Sequence, residues 1–257
     1  MGSETIEIQT ADGTADAYLS KPDGDGRGPG VLLLMDAFGL RPAIEQIADR
    51  IAARGYVVLA PNLFYRGGRD PVGPMPDMTE EGARAEFFGK LRPLIEQLTP
   101  DRVSSDGEAY VQRLEAESDG PIAITGYCMG ARAGLRIAGD HPDRVVALGG
   151  FHAGGLVTDA PESPHRSVDR IEAELYFGFA DNDQSMSPEN IAELERALDE
   201  AGVRYRTEVF QGAGHGYTMA DMPVYDEAAS ERHYDELFAL LERTTKAGQA
   251  TGGDAGA

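Results

Sequence analysis

The chain has 257 residues, 41 % of them apolar, and a formal net charge of −21. It can therefore bury a sizeable core, but it offers nucleic acid or an anionic membrane no basic footprint. A single cysteine excludes an internal disulfide, no run approaches the roughly 18 apolar residues of a membrane span, and the start, Met-Gly-Ser-Glu-Thr-Ile-Glu-Ile, lacks the basic and apolar segments of a signal peptide, so the chain reads as cytoplasmic.

In chain order, residues 5–9 and 15–20 bracket Asp12-Gly13 and predict an antiparallel hairpin. A Gly/Pro-rich loop over 22–30 follows, and strands then alternate with helices. A strand is expected over 31–35, a helix over 43–54 and a strand over 56–60, then helices over 84–98 and 104–115. Strand 122–125 leads into a helix over 131–138. Strands 145–149 and 174–179, a proline-led helix over 188–201, strand 205–210 and a helix over 228–246 complete the series. Repeated β-α alternation predicts an α/β fold with a mostly parallel sheet, an N-terminal antiparallel hairpin and helices on both faces. One domain over 1–246 is expected, with a disordered tail over 247–257, small and without large apolar residues. The irregular stretch 65–79 reads as a loop over the edge of the site, although an ordinary connector has the same composition.

The chemistry concentrates at Gly126-Tyr127-Cys128-Met129-Gly130, where the lone cysteine sits between glycines at a strand-to-helix junction. A lone cysteine can be a small buried hydrophobe. In this setting, however, the pattern resembles the nucleophile elbow of α/β-hydrolases, with sulfur replacing the serine oxygen. Such a nucleophile needs a base and an orienting acid, in the order nucleophile, acid, histidine. His215, in Gly212-Ala-Gly-His-Gly-Tyr217, follows the last strand and precedes the last helix, as the base should. Asp181 and Asp183 both follow strand 174–179 and both remain candidates for the acid. Of the other histidines, His141 suits a turn and His233 a solvent-facing helix position. His152 suits a structural role at a strand edge or a pocket wall, and His165 has no assignable role. An oxyanion hole would draw on the backbone N–H of Met129, just after the nucleophile, and of Ala37, after strand 31–35. Asp36 beside it suits either a turn or a charge role.

Taken together, Met35-Asp-Ala-Phe-Gly39, Ala60-Pro-Asn-Leu-Phe-Tyr-Arg66, Gly126-Tyr-Cys-Met-Gly130, Ala180-Asp-Asn-Asp183 and Gly214-His-Gly-Tyr217 resemble the dienelactone hydrolase (carboxymethylenebutenolidase) family, over about residues 5–245. The resemblance implies an α/β-hydrolase fold, no metal or organic cofactor, a small-molecule ester or lactone substrate, and a Cys-His-Asp triad of Cys128, His215 and Asp183. It selects Asp183 because the family's acid follows an N-D or Q-D pair. The chain also departs from the family. Asp36 stands where the family has a glutamate, and Met219 stands where it has an arginine that helps hold the substrate carboxylate. Arg84 takes the place of a second such arginine, and Phe88 that of a tyrosine. These changes imply an altered substrate preference, toward neutral acyl groups with an apolar end at Met219. A non-hydrolytic ligand-binding or thiol-sensing member of the fold is the competing reading. No sequence feature specifies an oligomeric state.

Overall fold

A computed structural model of the protein describes residues 2–24, 26–77 and 80–245, apart from the side chain of Arg84. The tail expected over 247–257, together with Met78 and Thr79 of the irregular loop, lies outside the described residues.

β1 (Gly2–Thr10) and β2 (Gly13–Lys21) form the hairpin, paired from Gly2↔Lys21 to Thr10↔Gly13, so the turn is Ala11-Asp12, one residue earlier than expected. β2 then pairs antiparallel with β4 (Val57–Pro61). From β4 onward every pairing is parallel, through β3 (Gly30–Leu34), β5 (Ile122–Tyr127), β6 (Val145–Phe151), β7 (Glu174–Ala180) and β8 (Tyr205–Phe210). The eight strands lie in the order β1-β2-β4-β3-β5-β6-β7-β8. Every residue of β3, β4 and β5 is buried. These strands carry no alternation of apolar and polar residues because helices cover both faces of the sheet.

Helix α1 (Pro42–Ala52) and the last helix, α6 (Glu227–Thr245), share one face, where Arg50 of α1 stacks on Tyr234 and pairs with Glu231. Helices α3 (Pro100–Glu117) and α4 (Met129–Asp140) pack on the other face, joined by Arg136 donating to Ser104 at 2.8 Å. Helix α5 (Pro188–Ala201) packs on a 3₁₀ segment, Pro164–Arg170, that the sequence pattern does not announce. Helix α2 (Glu81–Glu96) begins three residues before its expected start. Its burial is concentrated at Phe87 and Leu91.

The order β4-β3-β5 fixes where a ligand can bind. The chain leaves β3 on one side for β4 and returns on the other as β5, so the loops after β3 and β5 diverge and open a crevice at the carboxyl ends of the strands. Ala37 and Cys128 both fall there. Among the described residues no helix is long and apolar enough to cross a membrane.

Candidate active site

β5 ends at Tyr127, and Cys128 follows with φ 53° and ψ −116° as the residue capping α4. Residues with side chains seldom adopt this backbone, and the two flanking glycines permit it here. A β-carbon on Gly126 would stand 2.6 Å from the Ala131 nitrogen, and one on Gly130 would stand 2.3 Å from the Leu34 carbonyl oxygen. Only hydrogen fits at either position. The start of α4 is thus pressed onto both β5 and the end of β3.

The acid and the histidine arrive from the next strands. After β7, Asp181 donates its N–H to the Ala213 carbonyl (2.8 Å) and accepts the Gly212 N–H on Oδ2 (2.9 Å), fastening the loop that carries His215. Asn182 then turns through φ 54°, and Asp183 places Oδ2 2.6 Å from His215 Nδ1. Its other oxygen accepts the N–H and the hydroxyl of Ser185 at 2.8 and 2.7 Å. On the far side of the ring, His215 Nε2 lies 3.1 Å from Cys128 Sγ. The structure therefore joins Cys128, His215 and Asp183 in one line and sets Asp181 apart as a loop fastener. Ser185 is absent from the sequence reading, although a serine two residues after an aspartate is a common turn signal.

Burial lowers the pKa of the His215 ring, but the hydrogen bonds to Asp183 and to Cys128 outweigh it and raise the imidazole to about 10. Burial pushes the Asp183 carboxyl up, and the bonds from His215 and Ser185 bring it below the ordinary carboxylate range.

Two further histidines pack behind this line. His152 follows β6 at φ 37°, fully buried, with its ring 5.3 Å from that of His215 and Nε2 2.8 Å from the Thr218 hydroxyl. Burial drives its pKa well down, so the ring is a neutral wall behind the base. His233 is not solvent-facing as the sequence reading expects; it is fully buried on the sheet side of α6. Its Nδ1–H donates to the Ser230 carbonyl (2.9 Å), leaving Nε2 to accept the Tyr127 hydroxyl at 2.9 Å and anchor the residue before Cys128. Burial pushes its pKa down to about 3. His165 is also buried, with Nδ1 2.8 Å from the Ser163 hydroxyl.

Met129 opens α4, so its N–H has no acceptor within the helix and points out of the positive end of the helix dipole. Ala37 lies on the turn after β3, brought beside α4 by the Gly130 contact. Asp36 shapes that turn. It is 2 % exposed, accepts the Phe38 N–H on Oδ1 (2.9 Å), and takes a two-pronged pair from Arg41 at 2.6 and 3.1 Å. Arg41 also reaches Asp221, with Nε 2.6 Å from Oδ2, and so ties the β3 turn to the segment after His215. Burial pushes the Asp36 carboxyl up, opposed by Arg41. With both oxygens engaged, Asp36 has a loop-shaping place and does not present itself to a substrate.

The remaining expected substrate contacts separate. Phe88 is 46 % exposed, with its ring 6.1 Å from that of Phe38 next to Ala37. Arg84 lies on α2 with its side chain outside the described residues. Met219 is 1 % exposed, packed into the core and away from any open subsite. The apolar end of a pocket expected at that position is not found there, because the short turn after His215, with Met219 N–H bonded to the Gly216 carbonyl at 2.9 Å, folds the side chain inward.

A sequence model of the Dienelactone hydrolase family matches residues 15–245 of this chain. Among curated proteins, the chain is 27 % identical over 235 residues to a Synechocystis sp. protein proposed to be a carboxymethylenebutenolidase, covering 89 % of this chain and 92 % of the relative. It is 28 % identical over 255 residues to a Bradyrhizobium sp. protein proposed to be a 2-oxo-3-(5-oxofuran-2-ylidene)propanoate lactonase, covering 94 % and 96 %. In fold it matches the crystal structure of a Klebsiella pneumoniae protein proposed to be a dienelactone hydrolase, with a TM-score of 0.81, 19 % identity, and coverage of 94 % and 98 %.

Proposed function

Because the chain belongs to the dienelactone hydrolase family and is a hydrolase of lactones or esters, we propose that it works through a triad of Cys128, His215 and Asp183 with an acyl-thioester intermediate. The observation carrying this reading is the continuous line from Asp183 Oδ2 through His215 to Cys128 Sγ, with 2.6 and 3.1 Å separations, on a cysteine held at positive φ.

Cys128 Sγ, its proton already given to His215 Nε2, attacks the carbonyl carbon. Asp183 keeps the ring oriented and stabilises the imidazolium. The N–H groups of Met129 and Ala37 donate to the oxyanion of the tetrahedral intermediate. As that intermediate collapses, His215 returns the proton to the departing alkoxide, which in a lactone is the ring oxygen, and the thioester remains. Water then gives a proton to His215 and attacks the thioester, and the Cys128 sulfur leaves as the acid is released. Apart from the attacking water, the chain's own groups move every proton and supply every donor in this cycle, which calls on no metal or organic cofactor. Substrate recognition differs from the family pattern in its placement, since Met219, sealed in the core, offers no cation at the position beyond the histidine.

The test is paired inactivation. Iodoacetamide should label Cys128 and abolish hydrolysis of a 4-nitrophenyl ester in parallel, and Cys128→Ala should be inactive and unlabelled. Fully labelled protein that keeps its activity would remove Cys128 from the reaction.

A further inference from the structure

A cavity of about 400 Å³ opens beside the elbow, meeting it at Met129 and running along α4 between the α2–α3 junction and residues 155–167. Cys128 and His215 do not line it. Its walls are largely apolar, with Ile95, Leu98, Val103 and Met129 among them. Arg132 projects into it, only partly exposed to solvent.

Among the described residues, Arg132 has neither a carboxylate nor a hydrogen-bond acceptor as partner. The other charges facing the cavity behave differently. Arg136 pairs with Asp140 at 3.2 Å and donates to Ser104. Glu96 pairs with Arg92 at 2.8 Å, and Glu162 stands exposed at the rim. A partly buried guanidinium without a partner gives up hydration and gains nothing from packing that an aliphatic residue would not supply, so its charge invites an incoming anion.

The position also suits the reaction. Arg132 is the fourth residue of α4, in the first turn of the helix that Cys128 caps. Two adjacent glycines bind the cavity to the reacting line. A β-carbon on Gly154 would stand 3.6 Å from His215 Cε1, and one on Gly155 would stand 3.5 Å from Arg132 Nη1. Imidazole and guanidinium therefore lie beside consecutive residues of one loop segment.

We propose that Arg132 is a specificity-determining residue, anchoring a carboxylate at the far end of an apolar group that the α4 cavity holds while the ester or lactone carbonyl sits at Cys128. This rests on the hydrolytic reading above. It places the anion on the helix after the nucleophile, away from the loop after the histidine, where Met219 is sealed in the core. The planar fork of an arginine matches a carboxylate with two parallel hydrogen bonds.

The test compares kcat/KM for the 4-nitrophenyl monoester of adipic acid with that for its methyl ester and for 4-nitrophenyl hexanoate. The native protein should prefer the free carboxylate. Arg132→Gln should reduce that preference about ten- to a hundred-fold, the range for a charge-assisted hydrogen bond, and Arg132→Lys should restore part of it. An unchanged preference in Arg132→Gln overturns the proposal. If no ester is turned over by native protein, the hydrolytic reading fails, and calorimetric binding of 4-phenylbutyrate decides the anchor separately. Weaker binding to Arg132→Gln upholds it, and equal or no binding to the two proteins overturns it.

Discussion

Two buried carboxylates flank the elbow, each clasped by a cation, and they differ in what the cation can do. Asp36 is held by Arg41, whose charge is permanent at any physiological pH, and the pair reaches on to Asp221. Asp183 is held by His215, whose proton can leave toward Cys128. The first pair fixes the turn that presents Ala37, and the second aligns a group that must gain and lose a proton in every cycle. An arginine in place of His215 could pair with Asp183 but could not take and return the proton. Two carboxylate–cation pairs beside one elbow thus serve opposite ends, according to whether the partner titrates.

The largest expected effect breaks the titrating pair. His215→Ala should lower kcat by about 10²–10⁴ while leaving the protein folded, and Asp183→Asn should fall in the same range. Asp181→Asn serves as the control, since that residue only fastens the loop. Stopped-flow or steady-state assays of the three variants check the ranking, and a greater loss from Asp181→Asn would transfer the acid to that position.

The static pair should show the reverse profile. Arg41→Met strands Asp36, whose side chain is 3 % exposed, and an unpaired buried charge costs about 3–5 kcal/mol. Urea denaturation should register that loss, while the folded fraction keeps kcat within about ten-fold of native, the pair having no proton to transfer. A variant as stable as the native protein would erase the distinction between the two pairs.

The smallest effect, and the most direct reading of the contrast, is the titration itself. With His215 raised from 6.5 to about 10, its contribution to stability is complete below pH 6.5 and is lost as pH rises toward 10. With Asp183 held below its ordinary value, its contribution is present above about pH 4 and is lost as pH falls through the lowered value. The His215 Cε1 proton followed by NMR should titrate well above 6.5 in the native protein, and Asp183→Asn or Cys128→Ala should move the midpoint down. A native midpoint near 6.5 would contradict the assignment.

The buried strands were legible because each is a short apolar run bounded by turn residues, and the elbow because glycines must flank a cysteine in that conformation. Cys128 and His215 were read from motif and order, which left Asp181 and Asp183 both open, and only the family resemblance selected Asp183. Asp36–Arg41–Asp221 did not, because its closing contact spans 180 residues of sequence and depends on the strand order. His233 was misread by weighing its polarity over its position. It lies three residues after Ser230 and four before Leu237, on the stripe that α6 buries. Met219 illustrates a different limit, since the identity of a side chain does not tell which way a tight turn directs it.

Three residues with side chains adopt positive φ among the described residues: Cys128, His152 and Asn182, at the carboxyl ends of the adjacent strands β5, β6 and β7. Asparagine tolerates that backbone readily, whereas at the other two it costs on the order of 1–3 kcal/mol each. The working edge of this sheet therefore stores strain that only its packing holds in place. Glycine at His152 would relax the backbone, but it would also leave a void behind His215 and the Thr218 hydroxyl without its 2.8 Å partner, so relief of strain there would come at a net loss of stability.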